Sequence, residues 1–136
     1  MSPTRQAVRD VDGFPVRGLA VTYGDRQKLH RHTHPWAQLV YAASGVMLVE
    51  TPNAAWLVPP TRAIWVPGGV EHQIAMRGTV AMRTLYLAPA GEDPRLAACR
   101  AIEVAPLLRE LILHIVRLGM LEAGRPEHER IEALLV

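Results

Sequence analysis

A single cysteine, Cys99, cannot close an internal disulfide, and such sparse cysteine use fits a reducing compartment better than a secreted, cross-linked scaffold. Long apolar runs are missing too. No stretch approaches the roughly eighteen uninterrupted apolar residues of a membrane-spanning helix, so no membrane association is expected. The opening segment MSPTRQAVRD lacks the apolar core of a secretory signal. Together these absences predict a cytoplasmic protein. Concentrated positive charge is absent as well, although 15 Lys and Arg against 13 Asp and Glu leave a formal net charge of +2. The six arginines after Gly91 are outnumbered by eight acids, and no basic stripe is available for phosphates. The chain by itself is therefore a poor DNA binder.

What is present is apolar residue in quantity, 49% of 136 residues, enough for one domain with a core. Between about Val16 and Ala88 the chain runs through short β-prone segments: GLAVTY, WAQLVYAA, GVMLVET, AAWLV, RAIWV, HQIAM and TVAMRTLYLA. Gly, Pro or Asn punctuates them, and eight of the eleven prolines precede Pro94. Such spacing predicts a small barrel or sandwich. After Glu92-Asp93-Pro94 the period lengthens: Val104, Leu108, Leu111, Ile115 and Leu118 mark a helix from near Pro106 to near Gly119. Leu107, Ile112, Leu113 and Val116 widen its apolar surface. Either the helix sinks into its own core, or one side packs on the barrel while Leu108, Leu111, Ile115 and Leu118 form a dimer seam. A second helix is expected from Pro126, with Ile131, Leu134 and Leu135 in its apolar pattern. The chain stops at Val136 in mid-pattern, which predicts a fragment of a longer protein. The resulting division is a barrel over residues 1–91 and a helical dimerisation or linker segment over 92–136.

Chemistry concentrates in His30-Arg31-His32-Thr33-His34, where alternate residues of an extended chain share a face. Gln38 keeps that parity. Far along the chain, Pro67-Gly68-Gly69-Val70-Glu71-His72 makes a tight turn into another strand. If the strands are neighbours, His32, His34, Gln38 and His72 converge. Imidazoles with one oxygen donor suit zinc, nickel, copper or iron(II), whereas an all-oxygen set would have suited magnesium or calcium. The alternative is a set of solvated or core histidines with no metal. Trp36, Tyr41, Met47, Ile64, Val66 and Tyr86 are the expected lining of a small-molecule pocket beside them. Glu71 is a weaker prospect as an acceptor behind an imidazole, because its parity is opposite to that of His72.

These residues resemble the two-part cupin signature. His32-Thr33-His34, three residues, Gln38, six residues and Gly45 match its first part, with Gln in place of Glu. Pro67-x-Gly69-x-x-His72 matches its second, with Met76 in place of Asn. The order continues through Ser44–Thr51, Val58–His72 and Pro106–Ile112, and resembles the N-terminal half of AraC-family transcription regulators across most of residues 18–136. The resemblance implies a mainly β cupin barrel (a double-stranded, jelly-roll-like β-helix) followed by C-terminal helices. It also implies an effector-sensing, homodimeric module whose DNA contacts come from a helix-turn-helix half absent from this chain. The rival reading is a small metal-dependent cupin enzyme, a dioxygenase or isomerase.

Overall fold

The computed structural model describes residues 16–87 and 97–121, together with Pro126. In chain order the elements are β1 (Val16–Tyr23), β2 (Lys28–His32), β3 (Ala37–Val40), β4 (Ala42–Thr51), β5 (Ala54–Val58), β6 (Arg62–Val66), β7 (His72–Leu87), β8 (Arg100–Glu103), α1 (Pro106–Leu118) and β9 (Met120–Leu121). The strands join one sheet that curls into a nearly closed barrel, as the mainly β expectation required. Of the second helix expected from Pro126, Pro126 itself is helical and the rest lies outside the described residues.

The organising element is β7. Read from sequence as two strands, HQIAM and TVAMRTLYLA are one 16-residue strand that continues through Gly78, whose φ of 74° bends the chain without ending it. Its first half pairs with β2 on one side and β4 on the other; its second half pairs with β1 and with β3 and β4. Because successive side chains alternate, β7 presents His72, Ile74, Met76, Val80, Met82, Thr84 and Tyr86 to one face, all buried.

The two faces of the sheet carry separate cores. The inner one joins Tyr23, Val40, Met47, Val49, Val58, Ile64, Val66, Ile74, Met76 and Met82. The outer one joins Val16, Ala37, Leu39, Tyr41, Ala63, Trp65 and Leu85 with Val104, Ile112 and Ile115 of the helical segment. Tyr41 and its neighbours Val40 and Ala42 thus lie on different faces, at the break between β3 and β4. The segment expected as a helical linker also contributes strands: β8 extends the edge of β6, and β9 pairs with β1.

Helix α1 begins with Pro106 in its first turn and ends at Gly119, whose φ of 86° lets its N–H reach Ile115 O (2.9 Å). Its Ile112 and Ile115 are fully buried on the barrel, each worth about 2–3 kcal/mol in apolar burial. Ile115, expected in an outward dimer seam, therefore faces its own barrel, and Leu108 and Leu111 pack part-buried against the same cluster. Outward-facing are Leu107, 80% exposed, and Leu118, 43% exposed. The helix also holds the β3–β4 break: Arg109 Nη1 donates to Tyr41 Oη (2.8 Å) and to Ala43 O (3.2 Å), while Tyr41 Oη donates to Pro60 O (2.8 Å).

Close approach of helix and sheet depends on Gly18. A Cβ there would lie 2.8 Å from Val116 Cα, and the Gly18 N–H donates to Gly119 O at 2.9 Å. Gly18→Ala is expected to push the helix off β1 and cost about 1–3 kcal/mol in urea unfolding. Unchanged stability would mean that helix and strand are not in this contact.

Candidate metal and effector site

The site lies where β2, the loop after it, β3 and the start of β7 meet. His32 is the last residue of β2, opposite His72 in the β2–β7 pairing, with a register irregularity between Leu29 and His32. That irregularity breaks the simple alternation expected for His30, which is exposed and contributes only its carbonyl. His34 sits on the following loop, and this loop is interlocked with the Pro67–Val70 turn. Gly69 N–H donates to His34 O at 2.8 Å, and a Cβ on Gly68 would strike the Pro35 carbonyl. Both glycines are thus structural requirements of the site: Gly68 by close approach, Gly69 by its φ of 83°.

His32, His34 and His72 offer ring nitrogens within 4.8 Å of one another, a spread that small ring rotations close onto metal–nitrogen bonds of about 2.1 Å. Each ring is held from behind. His32 Nδ1 lies 2.6 Å from His30 O, His34 Nδ1 2.7 Å from Trp36 O, and His72 Nδ1 2.9 Å from Val70 O. A carbonyl oxygen only accepts, so Nδ1 carries the proton in each neutral ring and Nε2 presents its lone pair to the centre.

Gln38 completes the set. It is 1% exposed, and its Nε2 donates to Thr84 Oγ1 (2.9 Å), whose hydroxyl donates to Leu39 O (2.9 Å). That chain of donors orients the amide and leaves Oε1 facing His34 Nε2 at 3.2 Å and His72 Nε2 at 3.1 Å. With both Nδ1 atoms protonated these are acceptors facing acceptors. His32 Nε2 is buried and has no hydrogen-bond partner among the described residues. Four inward acceptors without a donor among them are what a cation satisfies, and the donor set fits a divalent transition metal.

Burial favours the uncharged rings of His34 and His72. Desolvation lowers the pKa of His72 to about 4, with the neighbouring His32 and His34 adding to the effect, and lowers that of His34 for the same leading reason. Tyr86, its ring 5.5 Å from His34 and edge-on, is fully buried, and its hydroxyl has no hydrogen-bond partner among the described residues. Burial, then nearby Tyr23, keeps that hydroxyl protonated far above the usual phenol range.

Of the expected pocket lining, Met47, Ile64 and Val66 belong to the inner core and Tyr86 adjoins His34. Trp36 is half-buried and serves through its carbonyl. Tyr41 lies on the opposite face of the sheet, under α1. Glu71 pairs with Arg31 across 3.3 Å, both exposed, and so ties the residues next to His72 and His32 together instead of backing an imidazole. Sequence reading missed Thr84, although its two-residue spacing from Tyr86 placed it on the same face.

Two outcomes follow from this geometry. Because His72 binds a proton less readily when folded, the unfolded chain takes up protons first. Metal-free protein should then lose stability as pH falls from about 6.5 to about 4 and be indifferent to this group above that window. The loss is expected to reach about 3 kcal/mol, measured by urea unfolding across that range, and His72→Gln should flatten the slope. Separately, Thr84→Val removes the acceptor that orients Gln38 and is expected to cost about 1–3 kcal/mol, with Thr84→Ser retaining most of the wild-type value.

The family described as AraC-like ligand binding domain matches residues 16–136. The HTH-type transcriptional regulator NimR of Escherichia coli (strain K12) is 32% identical over 104 residues, covering 76% of this chain and 38% of NimR. The chain thus spans well under half the length of that curated relative. Among solved structures, apo ToxT K231A from Vibrio cholerae strain SCE256 superposes with a TM-score of 0.65 at 6% identity, over 89% of this chain and 52% of that one. A cupin superfamily protein from Desulfitobacterium hafniense DCB-2 gives a TM-score of 0.52 at 18% identity, over 54% of this chain and 68% of that one. These two likenesses speak for the fold alone. The match across all the described residues, with the regulator relative beside it, makes this chain a member of the AraC-like ligand binding domain family, built on a cupin barrel.

Proposed function

We propose that this chain senses a small-molecule effector for a transcription regulator, with a divalent transition metal (zinc, nickel, iron or copper) held by His32, His34, Gln38 and His72. The observation that carries the metal is the convergence of three imidazole Nε2 atoms and one amide oxygen, with every Nδ1 tied to a backbone carbonyl. Bound there, the metal would anchor structure or effector. Sensing is favoured over turnover because no Asp or Glu is among the buried residues described, which leaves the site without a carboxylate to act as a base.

Coupling has a physical route. Val40 and Ala42 belong to the inner core, while Tyr41 between them is gripped by Arg109 of α1. An effector that binds two arrangements of Val40 and Ala42 unequally would shift Arg109 and the helix with them. Leu107 and Leu118 on the outer side of α1 are the surface through which two copies would associate. DNA would be read by a helix-turn-helix half outside this chain, and the working compartment would be the cytoplasm.

Elemental analysis of untagged protein is expected to find about one transition metal per chain, and His32→Ala should lower that content at least tenfold. Unchanged content would remove the metal from the reading. Sedimentation is expected to give a particle of twice the 15.0 kDa chain mass, with Leu107→Glu and Leu118→Glu together returning it to a monomer. A wild-type monomer would exclude the dimer.

A further inference from the structure

The donor set at the centre of the barrel carries no charge. Three neutral imidazoles and an amide oxygen leave a bound dication with its full positive charge in a place where His72 and Gln38 are each 1% exposed. Among the described residues nothing nearby offsets it. Glu71 is turned outward onto Arg31, and Glu50 accepts from Gln73 Nε2 at 3.1 Å. A buried charge without a counter-charge is costly, so whatever completes this site has to bring a negative one.

Tyr86 supplies the second half of the argument. It stands opposite Gln38 in the β3–β7 register and therefore on the same face, with its ring against His34. Its hydroxyl is a buried donor with no acceptor among the described residues, an unfavourable condition that a ligand able to accept would relieve. Beyond this polar end the inner face is apolar and rich in methionine: Met47 pairs with Met76 across β4 and β7, and Met82 follows on the same face. Methionine side chains adapt to ligand shape with little strain.

We propose that the effector is a small organic anion with an apolar body, a carboxylate being the simplest case. Its anionic oxygen meets the metal held by His32, His34, Gln38 and His72, its charged group accepts from Tyr86 Oη, and its body lies against Met47, Met76 and Met82. This inference rests on the metal reading above, and the order of measurements separates the two.

Metal content is measured first on untagged protein loaded with cobalt(II). The cobalt visible spectrum and calorimetry then follow titration with benzoate, with acetate, and with benzamide, which keeps the shape of benzoate without its charge. Expected are a spectral change and binding with benzoate, weaker binding with acetate, and at least tenfold weaker binding with benzamide. Gln38→Glu, which supplies the missing negative charge from the protein, should retain cobalt and weaken benzoate at least tenfold. Tyr86→Phe should retain cobalt, weaken benzoate about fivefold to tenfold, and leave the ligand-free protein at least as stable as wild type, because the lost hydroxyl had no partner. A merely structural Tyr86 would instead lower thermal stability and leave the benzoate affinity where it was. A chain that takes no cobalt overturns both readings. Cobalt binding with no benzoate response, equal affinity for benzamide, or full benzoate affinity in Gln38→Glu overturns the anion alone.

Discussion

Imidazoles crowd together at the centre of this barrel because each is held from behind. Without the carbonyls of His30, Trp36 and Val70 on the three Nδ1 atoms, the rings would be free to turn their own donors inward and satisfy one another. With those carbonyls in place the inward atoms are all acceptors, and Gln38, fixed by Thr84, adds a fourth. Much of the local architecture serves that constraint. Gly68 permits the turn before His72 to press on Pro35, and the Gly69 N–H ties it to the His34 carbonyl. The Arg31–Glu71 pair joins the neighbours of His32 and His72 at the surface, where solvent leaves it little intrinsic strength but lets it bias the two backbones toward one spacing.

The same long strand that carries His72 also carries the connection to the helix. Strand β7 holds His72 at one end and Thr84 and Tyr86 near the other, and the barrel curls so that both ends meet at Gln38. On the reverse face Leu85 lies in the cluster that receives Ile112 and Ile115. A displacement at the polar end of the barrel would have one sheet thickness to cross to the helix, either through β7 or through the β3–β4 break that Arg109 grips. Interiors packed this densely respond by switching between arrangements, not by yielding smoothly, which is the property a sensing domain needs.

Replacement of the usual carboxylate by Gln38 gives the site its particular character. A carboxylate would pair its charge with the cation and leave less demand on any incoming group. A neutral amide keeps the hydrogen bond to Thr84 and an oxygen that could coordinate, and with a cation bound it would transfer the need for negative charge to the ligand. An apolar interior rich in methionine, beside the buried Tyr86 hydroxyl, would then discriminate by the body of the ligand and by its ability to accept.

Local pattern determined a good deal. Alternating apolar residues and turn-forming glycines and prolines specify strands because those preferences act over a few residues, and the 3.6-residue period with Pro106 and Gly119 at its ends specifies α1 in the same way. The histidine spacing and the Pro-Gly-Gly turn identified the site because their chemistry is written in adjacent positions. Long-range contact decided the rest. Whether HQIAM and TVAMRTLYLA form one strand or two depends on partners from four other strands, which no local period encodes. Strands β8 and β9 exist because β6 and β1 offer edges to pair with. Ile115 and Tyr41 were misread because an apolar or aromatic residue shows that it will be buried, not against which surface. Thr84 drew no attention because a lone threonine acquires its role only when Gln38, 46 residues earlier, is folded against it. Which residues could bind a cation was written in the sequence, and even the carbonyl behind each imidazole lies two residues from it; that the three rings and Gln38 meet at one point was decided by the fold, because only the pairing of β2 and β3 with β7 brings His72 to them across 34 or more residues.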